Sequence, residues 1–253
     1  EVLAFIDGSG NAITNLDKYD FIIYFDKDYY IARLLELAGF RLFNNAEAIR
    51  VCDSKMLTHL TLTNQGIKMP KTINYPLRYG PGSDDNFHHH VIEELGFPHV
   101  IKHYFGSLGE QVYLVNNKQE FDSITKKLVD IPHLYQEFIG SSFGKDLRIV
   151  VVGHQIVAAM ERNAQNQDEF RSNIETGGIG LQIEIPPSFA EVAIKVSKIL
   201  NLDYCGLDLL YGSEGQPILL EVNASAYFSP IEKYSKKDVA GRYVKYIVDT
   251  IYN

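Results

Sequence analysis

The sequence predicts a mixed α/β (α+β) fold built in layers, and three observations carry that prediction. Short apolar runs rich in β-formers alternate with helical spacing, as where "YDFIIYF" (residues 19–25) leads into "DYYIARLLELAGF". Two longer stretches, "LRIVVVGHQIVAAMER" and "CGLDLLYGSEGQPILLEVN", each place two apolar runs about a glycine-containing turn, which is the mark of a β-hairpin. The chain has 253 residues, 45% hydrophobic and 22% charged, enough apolar side chains to fill a large core shared by two or three lobes.

Residues 19–25 read as a buried strand. The helix after them sets Ile31, Leu34, Leu35 and Ala38 on one side and stops at Gly39. "DSKMLTHLTLTNQGIKMP" reads as a helix capped by Asp53 or Ser54 and closed by Gly66. Residues 75–90, "YPLRYGPGSDDNFHHH", are rich in turn formers and read as a connection between lobes. Its His88, His89 and His90 belong to a solvated loop or a helix start, because three adjacent histidines on a regular element cannot all face one ion. "HVIK" and "QVYLV" are strands flanking "HYFGSLGE"; "EFDSITKKLV" is a helix and "LYQEFI" a strand. "FAEVAIKVSKILNL" is an amphipathic helix with Val192, Ile194, Val196, Ile199 and Leu200 inward. The C-terminal "YSKKDVAGRYVKYIVDTIYN" is another, with Val244, Ile247, Val248 and Ile251 inward.

Lys and Arg number 24 against 32 Asp and Glu, a net charge of −8, which argues against nucleic-acid binding through overall charge. A local basic pocket for a phosphorylated ligand remains compatible with it. No apolar run approaches the ~20 residues of a membrane span, and no signal peptide is recognisable. Cys52 and Cys205 lack CxxC spacing and read as small core residues, consistent with a reducing, cytoplasmic setting. The chain begins at Glu1 rather than Met, so residues 1–50 are expected to form an incomplete N-terminal α/β lobe.

Four segments carry chemistry. In "GLDLLYGSEGQPILLEVN", pairing around the turn sets Asp208 roughly opposite Glu221. Asn223 shares a face with Glu221, while Val222 points away. Three oxygen donors on neighbouring strands suit Mg²⁺, which takes one or two carboxylates and completes its shell with water and phosphates. In "KHYFGSLGEQV", Gly106 and Gly109 let backbone N–H groups approach phosphate oxygens and Lys102 supplies a charge. It is not a P-loop, and a hairpin turn with a surface lysine is the plainer reading of that segment alone. "LYQEFI" alternates Gln136 and Phe138 with Tyr135 and Glu137; a linking strand of this kind can offer its backbone to the edge of an adenine. In "ERNAQNQDEFRSNIETGG", Arg162 ends a strand and Arg171 shares a face with Asn173; arginines suit developing negative charge.

The order of these motifs resembles the ATP-grasp superfamily, and within it the RimK-type α-L-glutamate ligases. The resemblance runs from about residue 19 to the end, through "DSKMLTHLTLTNQGIKMPKT", "VIKHYFGSLGEQV", "LYQEFI", "GKDLRIVVVGHQIVAAMERNA", "DEFRSNIETGG" and "GLDLLYGSEGQPILLEVNAS". "FRSN" together with "EVNAS" is specific to this branch. The resemblance implies an ATP-grasp fold with an N-terminal lobe (1–50), a linker helix and central lid (51–134) and a C-terminal lobe with the metal site (135–253). It implies that Lys55 and Lys102 contact ATP phosphates beside the loop of Gly106, Ser107 and Gly109. Glu137 and Phe138, flanked by Gln136 and Ile139, lie where adenine is read, and Asp146 is a nucleotide-contacting carboxylate. Arg171, Ser172 and Asn173 form a nucleotide-contacting segment, Arg162 also faces the phosphates, and Asp208, Glu221 and Asn223 are the Mg²⁺ ligands, with Mn²⁺ as an alternative ion.

The implied activity is ATP-dependent ligation of a carboxylate to an amine through an acyl-phosphate, adding glutamate or a similar amino acid to a peptide, protein or small-molecule carboxylate. No nucleic acid or membrane partner is expected, and a homo-oligomer stays open. Two other readings on the same fold are an ATP-binding module without turnover and a small-molecule kinase. Where the family often continues with proline and glycine, this chain reads "NASAYFSPIEKY"; that loop should border the acceptor.

Overall fold

A computed structural model describes residues 2–77, 84–106, 109–174 and 177–253. The chain opens with the hairpin β1 (Ala4–Ile6) and β2 (Ala12–Thr14), then β3 (Ile22–Ile23), α1 (Tyr29–Leu37) and β4 (Leu42–Phe43). β3 and β4 run parallel, Ile22 opposite Leu42, so the strand–helix–strand pattern closes as a βαβ unit. Asp28 caps α1 by accepting from the Ile31 N–H at 3.0 Å.

Two helices follow where one was expected. α2 (Ala46–Asp53) is capped by Asn45, and α3 (Lys55–Leu62) by Ser54, whose Oγ accepts from the Leu57 N–H at 3.3 Å. Asp53 therefore ends α2 rather than capping α3. Its neighbour Ser54 adopts extended φ/ψ and serves as both the C-cap of one helix and the N-cap of the next.

A four-stranded antiparallel sheet comes next: β5 (Thr72–Asn74), β6 (His99–His103), β7 (Val112–Val115) and β8 (His133–Glu137), in the order β5-β8-β6-β7, with α4 (Asp85–Leu95) and α5 (Lys118–Lys127) packed on it. α4 corrects the expected loop at residues 85–90 and agrees with the helix start expected for His88, His89 and His90. From Asp85 the chain is helical because one face of "NFHHHVIEEL" can be buried: Val91 is fully inside, Phe87 and His88 lie against Tyr75, Phe121 and Tyr135, and His89 and His90 face outward.

The larger sheet contains β9 (Lys145–Val152), β10 (Gln155–Asn163), β11 (Ile179–Leu181), β12 (Tyr204–Tyr211) and β13 (Pro217–Asn223), ordered β11-β10-β9-β12-β13, with α6 (Pro187–Ile199), α7 (Ser229–Ser235) and α8 (Val239–Tyr252). β9 and β10 join through Gly153 (φ 54°) and His154 (φ 62°), a two-residue turn in the left-handed region whose twist suits a hairpin. On one face Leu147, Ile149, Val151, Leu207, Leu209, Leu219 and Val222 pack against α6 through Phe189, Ala193 and Val196. On the other, Val150, Val152, Ala158, Met160 and Tyr204 pack against Val239, Tyr243 and Ile247 of α8.

Val244 and Val248 do not belong to that contact, being 54% and 42% exposed. The buried stripe is Val239, Tyr243 and Ile247, spaced by four, which places Val244 and Val248 about 100° further round the helix. The face covered by α8 changes character along each strand: β9 reads Val152, Val150, Arg148, Asp146, and β10 reads Ala158, Met160, Arg162. The apolar half is buried under helices. The charged half turns toward the smaller sheet and lines a cavity there.

Candidate active site

Three strands deliver the centre of that cavity. Asp208 of β12 lies opposite Arg148 of β9 on one side and Glu221 of β13 on the other. Asn223, two residues beyond Glu221, pairs with Gly206. The ladder shifts by one between Asp208 and Leu209, so Leu220 is the extra residue of a β-bulge. Strict alternation could not bury both Leu219 and Val222. With the bulge both enter the core, and Leu220 and Glu221 both line the cavity.

Asp208 is 4% exposed and is held by two arginines. Arg148 donates through Nη2 to Oδ2 at 2.8 Å and through Nε to Oδ1; Arg162 Nη2 lies 3.0 Å from Oδ1. Arg162 also donates through Nε to Asp146 Oδ1 at 2.7 Å. The result is a buried chain of alternating charge, Asp146–Arg162–Asp208–Arg148. Burial works against ionisation of Asp208, but the two guanidiniums outweigh it and hold its carboxyl below the usual range. Gly206 makes room for this arrangement, since a Cβ there would sit 2.6 Å from Ala226 Cβ and 3.2 Å from Arg148 Nη1.

Two lysines approach from the other side. Lys55, first residue of α3, donates to the Gly106 carbonyl at 3.0 Å and lies 3.3 Å from Glu221 Oε1. Lys102, last but one in β6, is 8% exposed and is not a surface lysine. It donates to Gln136 Oε1 at 2.7 Å, while the Gln136 amide donates to Thr72 Oγ1 at 2.9 Å and toward His59 Nε2 at 3.3 Å. Burial pushes Lys102 down to about 8, and the nearby Lys55 charge adds to the effect. Burial also pushes His59 down to about 4, which keeps it a neutral acceptor for that amide.

The glycine loop is closed by the "RSN" segment. Arg171 Nη1 donates to the Gly109 carbonyl at 2.8 Å, and Arg171 Nε and Nη2 donate to Glu169 at 2.8 Å each. Gly109 needs its lack of a side chain twice over: its φ is +74°, and a Cβ would lie 3.1 Å from Arg171 Cδ. Phe138 forms an apolar wall with Phe143 and Phe170, ring centroids 6.1 and 6.2 Å away. Two buried polar atoms on this cavity, His103 Nε2 and Gln111 Oε1, have no hydrogen-bond partner among the described residues.

Every site residue expected from sequence that is described lines this one cavity: Lys55, Lys102, Gly106, Gly109, residues 136–139, Asp146, Arg162, residues 171–173, Asp208, Glu221 and Asn223. Ser107 lies outside the described residues. Sequence reasoning missed Arg148, though Asp146 and Arg148 at i and i+2 on one strand carried the signal. It also missed His59, Thr72 and Lys27, which come from distant segments. Among the described residues no three His, Cys, Asp or Glu side chains cluster as metal ligands. The oxygen set is two carboxylates and one carboxamide, which fits an ion that keeps water and phosphate in its shell and does not fit zinc. Cys52 and Cys205 are buried; burial pushes the Cys52 thiol up to about 12 and raises Cys205 as well, so neither is poised as a nucleophile.

The sequence model of the RimK-like ATP-grasp domain matches residues 52–247. The chain is 33% identical over 231 residues to human N-acetylaspartylglutamate synthase A, covering 90% of this chain and 57% of that protein. It is 36% identical over 220 residues to a probable alpha-L-glutamate ligase of Stenotrophomonas maltophilia, covering 86% of this chain and 72% of that one. The chain thus spans little more than half the length of several of its curated relatives. The VanG D-Ala:D-Ser ligase of Enterococcus faecalis superposes with a TM-score of 0.75 at 17% identity, over 96% of this chain and 78% of that one, a likeness of fold. With the matched region spanning most of its length and the site built on the sheets just described, this chain belongs to the RimK-like ATP-grasp family.

Proposed function

We propose that this chain carries an ATP- and Mg²⁺-dependent carboxylate–amine ligase that joins glutamate or a similar amino acid to a carboxylate-bearing acceptor. The observation that carries the reading is the in-register row Arg148–Asp208–Glu221 facing Lys55 and Lys102 across one cavity. Asp208, Glu221 and Asn223 would hold Mg²⁺, or Mn²⁺ in its place; the ion supplies charge neutralisation for phosphates. Lys55 and Lys102 hold phosphate oxygens, and the loop of Gly106, Ser107 and Gly109 offers them backbone N–H groups. Phe138 and Ile139 pack on the nucleobase, with Gln136, Glu137, Asp146, Ser172 and Asn173 around the nucleotide. Arg171 meets phosphate charge, and Arg162 keeps Asp208 and Asp146 in place.

In the proposed reaction a phosphoryl group passes to the acceptor carboxylate, the amine displaces phosphate, and an amide, ADP and phosphate result. Reacting groups held between two sheets are kept from water, which protects an acyl-phosphate from hydrolysis. The names of the relatives support an acidic acceptor and a glutamate donor. Of the lobes expected at 1–50, 51–134 and 135–253, we move the last boundary to after Glu137, because β8 belongs to the smaller sheet. Two buried free cysteines support a reducing, cytoplasmic setting. Among the described residues no helix is long and apolar enough to cross a membrane.

The test is ADP release by purified protein with ATP, Mg²⁺, glutamate and candidate acceptors, with the product weighed by mass spectrometry. Amino-acid-dependent ADP and a product heavier by one residue are expected. Hydroxylamine should trap a hydroxamate; a stable phosphoester would instead indicate a kinase, and nucleotide binding without any ADP a module lacking turnover. A further expectation concerns pH. Lys102 is charged well below pH 8 and neutral well above it, so nucleotide affinity should fall as pH rises through about 8, by up to roughly tenfold per unit. Lys102→Arg, which stays charged, should flatten that profile in a calorimetric titration. An unchanged Kd across the window in the parent protein would contradict the phosphate role.

A further inference from the structure

We propose that His59 is a positioning residue of the phosphate site: it holds the Gln136 side chain with its oxygen on Lys102, so that the lysine is charged when it meets a phosphate. The inference rests on the ATP-binding half of the ligase reading and deepens it. Lys55 and His59 stand one turn apart on α3, so the helix carries both on one face. Lys55 reaches the cavity itself, as do Lys102 and Gln136. His59 is 7% exposed and lies behind Gln136, so any influence on a ligand passes through that amide. The face of the smaller sheet that looks away from α4 and α5 carries the connection. Thr72 of β5 stands opposite Gln136 of β8, Gln136 stands opposite Val100 of β6, and Lys102 follows Val100 on that same face.

The hydrogen bonds admit one orientation of that amide. Lys102 Nζ donates to Gln136 Oε1 at 2.7 Å, and the Gln136 amide nitrogen lies 2.9 Å from Thr72 Oγ1 and 3.3 Å from His59 Nε2. An ammonium has only donors, so it must face the carbonyl oxygen. The two amide hydrogens then need two acceptors. Thr72 Oγ1 is one, since its own proton is directed to the Pro70 carbonyl at 2.9 Å. His59 Nε2 is the other, and it accepts only in the neutral ring with the proton on Nδ1. Burial and the Lys102 charge both oppose protonation of that ring and outweigh the opposite pull of Glu221. Lys102 is itself buried, and the hydrogen bond that receives its ammonium goes to this neutral oxygen. Glu221 and Asp208 favour its charged form through space, and Lys55 opposes it. Without an acceptor at position 59, one amide hydrogen is stranded in a buried place. The amide relieves this by turning, and Lys102 loses the oxygen that stabilises its charge.

The experiment is calorimetric titration with ATP and Mg²⁺ across a range of pH, comparing the parent protein with His59→Leu and His59→Gln. In His59→Leu the midpoint at which affinity falls should drop from about 8 by roughly one pH unit, the lower end for a hydrogen bond to a charged group. The Kd for ATP should therefore match the parent at about pH 6, where the lysine is charged in both, and be roughly tenfold weaker at about pH 9. His59→Gln sets an amide oxygen about where Nε2 stands and should restore the parent profile. Lys55, Asp208 and Glu221 are unaltered in every variant, so their fields cancel in the comparison. Should His59→Leu fail to fold, Thr72→Val, which removes the other acceptor, must show the same shift. A midpoint that stays with the parent's, or a loss of affinity equal at both pH values, overturns the inference and leaves the ligase reading standing. A parent Kd that does not vary with pH overturns it as well. Absence of amino-acid-dependent ADP release, with the shift in ATP binding present, would overturn the ligase reading alone.

Discussion

Glu221→Gln is expected to abolish turnover, by on the order of a thousandfold or more, with little change in stability. The carboxylate lines the cavity, pairs with Lys55 at 3.3 Å and is only half-buried, so an isosteric amide loses charge without leaving a hole. What it loses is one of two anionic donors in the proposed Mg²⁺ set, and stabilisation of transferring phosphoryl charge rests on that ion. Asp208→Asn should be equally inactive but should also unfold more readily, because Arg148 and Arg162 would face a neutral partner in a buried place. The pair of variants therefore separates chemistry from folding. Steady-state ADP release and urea melts check both; retained activity in the two variants would refute the metal assignment.

Arg162→Met should give the largest loss of stability of any single change at the site, about 3–5 kcal/mol. The guanidinium is shared by Asp146 and Asp208, both almost fully buried, and its removal strands Asp146 without a cation. A loss of that size is a large fraction of the ~5–15 kcal/mol by which domains are stable. Removing the stranded carboxylate in the double variant Arg162→Met/Asp146→Leu should recover part of it, since replacing a whole buried pair costs less than breaking one. Urea denaturation measures both. A single variant within about 1 kcal/mol of the parent would mean that water reaches the network and screens it.

Much of this was legible in the sequence because the elements concerned are long and locally consistent. The two hairpins carry their own turns, so counting outward from "GSEG" brings Asp208 to within one residue of Glu221, and the bulge at Leu220, which the count does not contain, completes the opposition. The first half of α4 reads as loop or helix start because it follows a run of turn formers, and its inward face depends on Tyr75, Phe121 and Tyr135, which come from elsewhere. On α8 the hydrophobic side chains span more than one face, and only the position of the large sheet decides that Tyr243 goes inside and Val244 does not. Lys102 had two plain readings. Its burial, which excludes the surface lysine, depends on Gln136, 34 residues away, with His59 and Thr72 behind it. Contacts of that kind belong to the fold and leave no local pattern.

The irregularity at Leu220 enlarges what one edge of a sheet can offer a ligand. An even pleat alternates its side chains, so a rung supplying an acid to the solvent side must supply hydrocarbon to the interior. Here two successive residues reach outward, hydrocarbon then acid, and the interior still receives Leu219 and Val222. Excising Leu220 would restore even alternation with Glu221 still outward. What would vanish is the greasy shelf next to the acid, so the extra residue serves the guest and not the host.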